Sequence, residues 1–243
     1  MDYFKPNFQD IFTFCAVLHV GHMVAHLGHL MGSASRLDLL CSQCCQVGNF
    51  GQIVRCSFVR ATKAPLDWSC CSYVPTVRGG GTMRVRMMCL GRHWNPLTYT
   101  YQSTRDDHDG SPVGPIPAEW IDMASAAASA AGFTFRPDIC LINFYGPDGR
   151  MGLHQDKDEG ASSLDAGLPV VSLSLGDTAR FLFGGVRRRD PVESILLESG
   201  DVFVFGGPSR LRYHGVARIL AGTGPPSLTL DGRFNLTFRQ YEQ

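Results

Sequence analysis

The last segment of the chain, Arg233-Phe234-Asn235-Leu236-Thr237-Phe238-Arg239, alternates strictly between apolar and polar residues. A period of two is the signature of a strand, so Phe234, Leu236 and Phe238 share one face and Arg233, Asn235, Thr237 and Arg239 share the other. A face with two arginines, an amide and a hydroxyl either meets water or lines a polar pocket, where an Arg fork holds a carboxylate through two parallel hydrogen bonds. Similar short segments recur upstream. Ile139 to Tyr145, Val171 to Leu175, Arg180 to Phe183, Ile195 to Leu197, Val202 to Phe205 and Leu211 to His214 all read as strands, cut by Gly- and Pro-containing turns. The 27 glycines and 14 prolines suit that punctuation. The fold class expected is mainly β with flanking helices, built on a double-stranded β-helix, or jelly roll. The clearest helix is Pro117 to Ala131, with Pro at its start and Gly132 past its end. Trp120, Met123, Ala124, Ala127 and Ala131 form its expected buried stripe.

Between these strands lies Leu153-His154-Gln155-Asp156-Lys157-Asp158-Glu159. Residues i and i+2 of an extended chain point the same way, so His154 and Asp156 can reach one metal ion. His214 is a third candidate ligand, well downstream. Two imidazoles and one carboxylate on one face of a metal leave the opposite positions open, the arrangement that suits an Fe(II) oxygenase. A lone His-x-Asp is common in solvated loops; the distant histidine and the arginine-bearing strand favour the metal reading. Trp94, Tyr99 and Tyr101 offer flat surfaces on which a base could stack, or ordinary aromatic packing on a sheet.

The ordered set of motifs resembles the AlkB family of Fe(II)- and 2-oxoglutarate-dependent dioxygenases. The matching pieces are Pro137 to Tyr145, Leu153 to Glu159, Pro169 to Gly176, Leu197 to Val202, Gly206 to Arg210 with Tyr213 to Gly215, and Arg233 to Gln240. The resemblance implies that His154, Asp156 and His214 bind Fe(II). It implies that Arg233 and Arg239 pair with 2-oxoglutarate, with Asn143, Tyr145 and Asn235 completing its hydrogen bonds, and that O2 is the second co-substrate. Residues 73–105 resemble the nucleotide-recognition lid, which assigns Trp94, Tyr99 and Tyr101 to the substrate, and Asp158 and Arg188 match positions near it. The activity implied is oxidative demethylation of N-alkylated bases in DNA or RNA, with release of formaldehyde, succinate and CO2. Single-stranded or locally opened nucleic acid is the expected partner, and a monomer is expected. An oxygenase acting on protein or a small molecule is the alternative. So is a catalytically inactive reader of methylated bases, though a reader has no need of a metal triad and two arginines.

Residues 73–243 form the expected dioxygenase domain. Residues 1–72 form a divergent Cys- and His-rich region, although Asp2 to Pro6 resembles the family's domain start. His19, His22, His26 and His29 fall on one helical stripe, and Cys41 to Cys44 make a CxxC. Solvated imidazoles and free thiols are the simpler reading of both, because Cys70-Cys71 lacks the spacing of a second zinc pair. Four histidines within the apolar run Ile11 to Met31 argue against a membrane span, and the poor basic flank argues against a signal peptide. Nine cysteines without a disulfide-framework spacing point to a reducing, intracellular compartment; cytoplasm and/or nucleus is expected, with an organelle as the alternative. The 22 basic and 22 acidic residues balance, so net charge alone indicates no polyanion partner. Arg84, Arg86, Arg92 and Arg187 to Arg189 are the candidates for a local basic patch.

Overall fold

The computed structural model describes residues 72–226 and 231–242, together with the backbone of 15–19. In chain order the strands are β1 (Cys15–His19), β2 (Arg86–Leu90), β3 (His93–Asn95), β4 (Thr100–Gln102), β5 (Ile139–Tyr145), β6 (Met151–His154) and β7 (Val170–Gly176). They continue as β8 (Thr178–Phe183), β9 (Glu193–Leu197), β10 (Asp201–Phe205), β11 (His214–Leu220) and β12 (Arg233–Arg239). The helices are α1 (Ala118–Ala130) and α2 (Ala161–Asp165). A six-stranded sheet has the order β1-β10-β7-β12-β5-β2, a four-stranded sheet the order β6-β11-β8-β9, and β3-β4 form a separate two-stranded ribbon. The pairing within all three is antiparallel. The chain crosses repeatedly between the two larger sheets, as a jelly roll requires. Among the described residues no helix is long and apolar enough to cross a membrane.

The larger sheet is covered on both faces, and this decides the fate of β12. Its apolar face, Phe234, Leu236 and Phe238, joins Cys140, Ile142, Val171, Leu173, Val202 and Val204 beneath α1. There Ala124, Ala127 and Ala128 are fully buried, their single methyl groups letting the helix approach the sheet closely. Replacing Ala127 by leucine should therefore overpack this seam and destabilise the protein by about 1–3 kcal/mol. A chemical denaturation midpoint would report the shift, and an unchanged midpoint would mean that the helix gives way. The helix starts at its N-cap Pro117 and stops where Gly132 takes a φ of 85°, and Phe133 N–H closes back onto Ala128 O at 2.9 Å. The opposite face of the sheet meets the smaller sheet through an aromatic cluster. Phe203 lies 5.2 Å from both Phe181 and Phe183 and 5.7 Å from Phe205.

Two expectations shift. The alternating run Thr82 to Leu90 reads as a strand from its sequence, but the strand begins only at Arg86; Thr82 and Arg84 make isolated bridges, to Thr76 and Arg150. The strand expected over Leu211 to His214 begins at His214 and runs to Leu220. A 3-10 turn at Gly207–Ser209 curls the chain first, and Arg212 N–H bonds back to Ser209 O at 3.0 Å. Proline at its start fixes that curl. The histidine stripe and the CxxC lie outside the described residues, apart from the backbone of His19 in β1.

Candidate metal centre and nucleotide pocket

His154 ends β6 and His214 begins β11, and the two are direct cross-strand partners. That pairing brings residues far apart in sequence to a ring-centroid separation of 4.4 Å. The register shifts just past His214, at the tight approach of Gly215: a Cβ there would lie 2.7 Å from Met151 O and 2.9 Å from Gly152 O. Asp156 follows His154 by two residues, with Oδ1 3.5 Å from His154 Nε2 and Oδ2 3.5 Å from His214 Nε2. One ligand atom from each residue lies within 4.8 Å of the others, the one such cluster among the described residues.

The remaining ring nitrogens fix the chemistry. His154 Nδ1 lies 2.9 Å from Gly152 O, and His214 Nδ1 lies 3.0 Å from Arg212 O. A carbonyl only accepts, so each Nδ1 donates, and a neutral ring then turns its Nε2 lone pair toward the carboxylate. Burial lowers the His214 pKa and outweighs the pull of Asp156, which favours the neutral ring; at His154 burial is outweighed by Asp156 and the Gly152 carbonyl, its pKa is raised, and a metal there would take the place of a proton. Lone pairs facing a carboxylate repel unless a cation sits between them. The donor set thus fits a divalent metal with open positions.

Asp156 is buried, which by itself would raise its pKa. The Arg239 guanidinium first, then His214 and His154, hold it well below the usual carboxylate range. Arg239 Nη2 sits 2.6 Å from Asp156 Oδ2, and its Nε lies 3.3 Å from Glu159 Oε1. Another Arg239 N–H donates to the Tyr101 hydroxyl. Glu159 also pairs with Arg210 Nη2 at 2.9 Å, and Arg210 Nη1 donates to Asp156 O. Glu159 and Arg210 hold the ligand loop through a buried ion pair, a role that no spacing in the sequence signals. Gln155 adds to this by donating to Leu211 O at 2.6 Å.

These groups open onto a cavity of about 690 Å³ lined by Asn143, Tyr145, His154, Asp156, Asp158, Arg188, His214, Asn235 and Arg239, and on the side of the β3-β4 ribbon by Trp94, Tyr99 and Tyr101. Arg233 lies outside the lining. It pairs in register with Tyr145, is 1% exposed, and donates from Nη2 to Ser174 Oγ at 2.8 Å. Its Nε and Nη1 and the Asn143 Oδ1 are buried without a hydrogen-bond partner. Burial pulls the Arg233 pKa down to about 10 against the opposing effects of Tyr145 and Asp201, and pushes the Tyr145 phenol up to about 12. The Asn235 amide is already engaged, donating to Ser172 Oγ at 2.7 Å and Leu173 O at 3.1 Å. On the β3-β4 ribbon, Trp94 Nε1 donates to Asp158 Oδ2 at 2.8 Å, and the Tyr99 ring lies 6.0 Å from Trp94. Tyr101 is buried, whereas Tyr99 is exposed at a φ of 57°. Arg188 Nη1 donates to Leu153 O at 3.0 Å, which ties the basic loop to the strand of the first ligand.

A fold of this kind, with a two-histidine, one-carboxylate centre at its mouth, is that of a non-haem iron oxygenase. Residues 59–239 match the model of the 2OG-Fe(II) oxygenase superfamily. The chain is 47% identical over 165 residues to the alpha-ketoglutarate-dependent dioxygenase AlkB of Escherichia coli (strain K12), covering 67% of this chain and 74% of that one. It is 46% identical over 190 residues to the DNA N(6)-methyladenine demethylase ALKBH1C of Arabidopsis thaliana, covering 70% of this chain. It spans only 42% of the length of that relative, and 42% of ALKBH1D of the same plant. A solved structure of OsALKBH1 superposes with a TM-score of 0.68 at 41% identity, covering 78% of this chain and 90% of the other. The chain belongs to the AlkB family of 2-oxoglutarate- and Fe(II)-dependent dioxygenases.

Proposed function

We propose that this protein removes N-alkyl groups from bases in DNA or RNA, holding Fe(II) at His154, Asp156 and His214. The observation that carries the reading is the convergence of two Nε2 atoms and a low-pKa carboxylate on one wall of a cavity whose other wall is an aromatic lid. Arg233 and Arg239 anchor the two carboxylates of 2-oxoglutarate. The unsatisfied Arg233 N–H groups are the support for that assignment. When bound, iron and 2-oxoglutarate supply the power to hydroxylate the alkyl carbon with O2, with succinate and CO2 as co-products; the hydroxymethyl group then leaves the base as formaldehyde.

The chain's own residues bind, orient and shield. Trp94 and Tyr99 present flat faces to an unstacked base, and Tyr145 and Asn235 close the floor beside the co-substrate. Asp158 accepts a hydrogen bond from the base's exocyclic amine on the carboxylate oxygen that Trp94 does not use. Arg188 meets the flanking phosphate. A base must leave its stack to reach a centre beneath a lid, so single-stranded or locally opened strands are the preferred substrate. We take the protein to act as a monomer in the cytoplasm or nucleus, with which the free, buried Cys89 and Cys140 accord.

The test is succinate and formaldehyde release with Fe(II), ascorbate and 2-oxoglutarate, against single-stranded DNA and RNA oligonucleotides that each carry one methylated base. Mass spectrometry should find one methyl group lost from at least one of them. Succinate without methyl loss would move the substrate to a protein or a small molecule.

A further inference from the structure

The residues behind the lid have no part in holding metal or co-substrate, yet His93 is among the most deeply buried polar groups of the protein. The lid ribbon β3-β4 belongs to neither large sheet. A two-stranded ribbon is at best marginally stable alone, so something must hold it. Alternation sends Trp94 and its cross-strand partner Tyr101 toward the cavity, and His93 and Asn95 to the opposite side. His93 is 1% exposed there, and its Nε2 lies 2.5 Å from Asp107 Oδ1. Asp107 comes from the loop after β4, within a turn whose Arg105 carbonyl accepts N–H groups from His108, Asp109 and Gly110. Tyr73 completes the cluster: its ring lies 5.4 Å from His93, and its hydroxyl donates to Trp94 O at 3.3 Å.

We infer that the buried His93–Asp107 pair is the anchor of the lid, and that His93 and Asp107 are positioning residues that set Trp94 over the cavity for an incoming base. Trp94 is then held at both ends. Its main chain is gripped from below through Tyr73 and the neighbouring His93, and its indole is tied from above to Asp158. Burial lowers the His93 pKa against the pull of Asp107, so the ring is neutral near pH 7 and donates from Nε2. A hydrogen bond is therefore sufficient for the anchor, and an amide can replace the carboxylate.

The inference rests on the proposed nucleic-acid reading only for its kinetic arm. With Asp107→Ala, amide hydrogen exchange in residues 93–102 should accelerate at least about tenfold, while β5, β7 and β12 keep their protection. The KM for the methylated oligonucleotide should rise about tenfold, with kcat and oligonucleotide-independent succinate within about twofold of wild type. Asp107→Asn should restore both the protection and the KM. Unchanged exchange in the ribbon of Asp107→Ala would overturn the anchor. So would faster exchange throughout both sheets with loss of uncoupled succinate, because the pair would then support the whole fold. The exchange arm needs no turnover, so a lack of methyl loss in the wild type would count against the proposed function and leave the anchor to be judged separately.

Discussion

Replacing Asp156 by alanine is expected to abolish iron binding and succinate formation together, and to weaken the fold. The carboxylate faces both imidazoles at 3.5 Å and the Arg239 guanidinium at 2.6 Å. Two histidines without it are too few to hold a labile Fe(II) against water. Arg239 would keep Glu159 at 3.3 Å and the Tyr101 hydroxyl but lose its nearest counter-charge. Removing one partner of a buried pair costs about 3–5 kcal/mol, and the retained Glu159 places the expected loss near the lower end. Asp156→Asn separates the two effects. It keeps the volume and an acceptor for Arg239, so more stability survives, but a neutral amide is a poor ligand and iron should still be lost. Iron stoichiometry, succinate release and a denaturant midpoint measured on the same preparations decide the matter. Succinate at the wild-type rate with one iron bound in Asp156→Ala would refute the ligand assignment.

Arg233→Met should behave in the opposite way toward stability. Arg233 is 1% exposed and, among the described residues, its guanidinium bonds only through Nη2, while its Nε and Nη1 are unmatched. A guanidinium in that state burdens the fold, and burial lowers its pKa for the same reason. Methionine fills much of the same space without the charge. The co-substrate-free protein should thus be as stable as wild type or more so. The KM for 2-oxoglutarate should rise by roughly 10- to 100-fold, since a hydrogen bond to a charged group is worth about 1.5–3 kcal/mol and each 1.4 kcal/mol is tenfold. Arg239→Met should instead destabilise, because Arg239 already serves Asp156 and Glu159. A lower denaturation midpoint for Arg233→Met with an unchanged KM would assign Arg233 to structure alone.

The two arginines of β12 show where sequence stops and structure begins. Strict alternation placed them on one face of a strand, and that face is indeed polar and inward. Alternation is local, however, and says nothing of depth. Only the second sheet and the covering helix bury both faces of β12. Only then do Arg239, paired with two carboxylates, and Arg233, with unmatched donors, become different in kind. His154 and Asp156 were legible as an i, i+2 pair because extended backbone repeats every two residues. That His214 meets them depends on the β6–β11 register, a long-range pairing fixed by the tight approach at Gly215.

The sequence by itself determined the strand-rich fold class, the boundaries of α1 to within a residue at each end, and the residue types of the candidate metal centre and of the polar face of β12. Periodicity, glycine and proline act over a few residues and leave their mark in any window of the chain. The tertiary structure alone decided that the polar loop after β4 sends Asp107 into the interior against His93, and that Glu159 and Arg210 lock the ligand loop. It alone placed Trp94 within reach of Asp158. Each of those contacts joins segments whose local sequence looks solvated. A buried ion pair or hydrogen bond is a property of two distant segments and of the water that their meeting excludes.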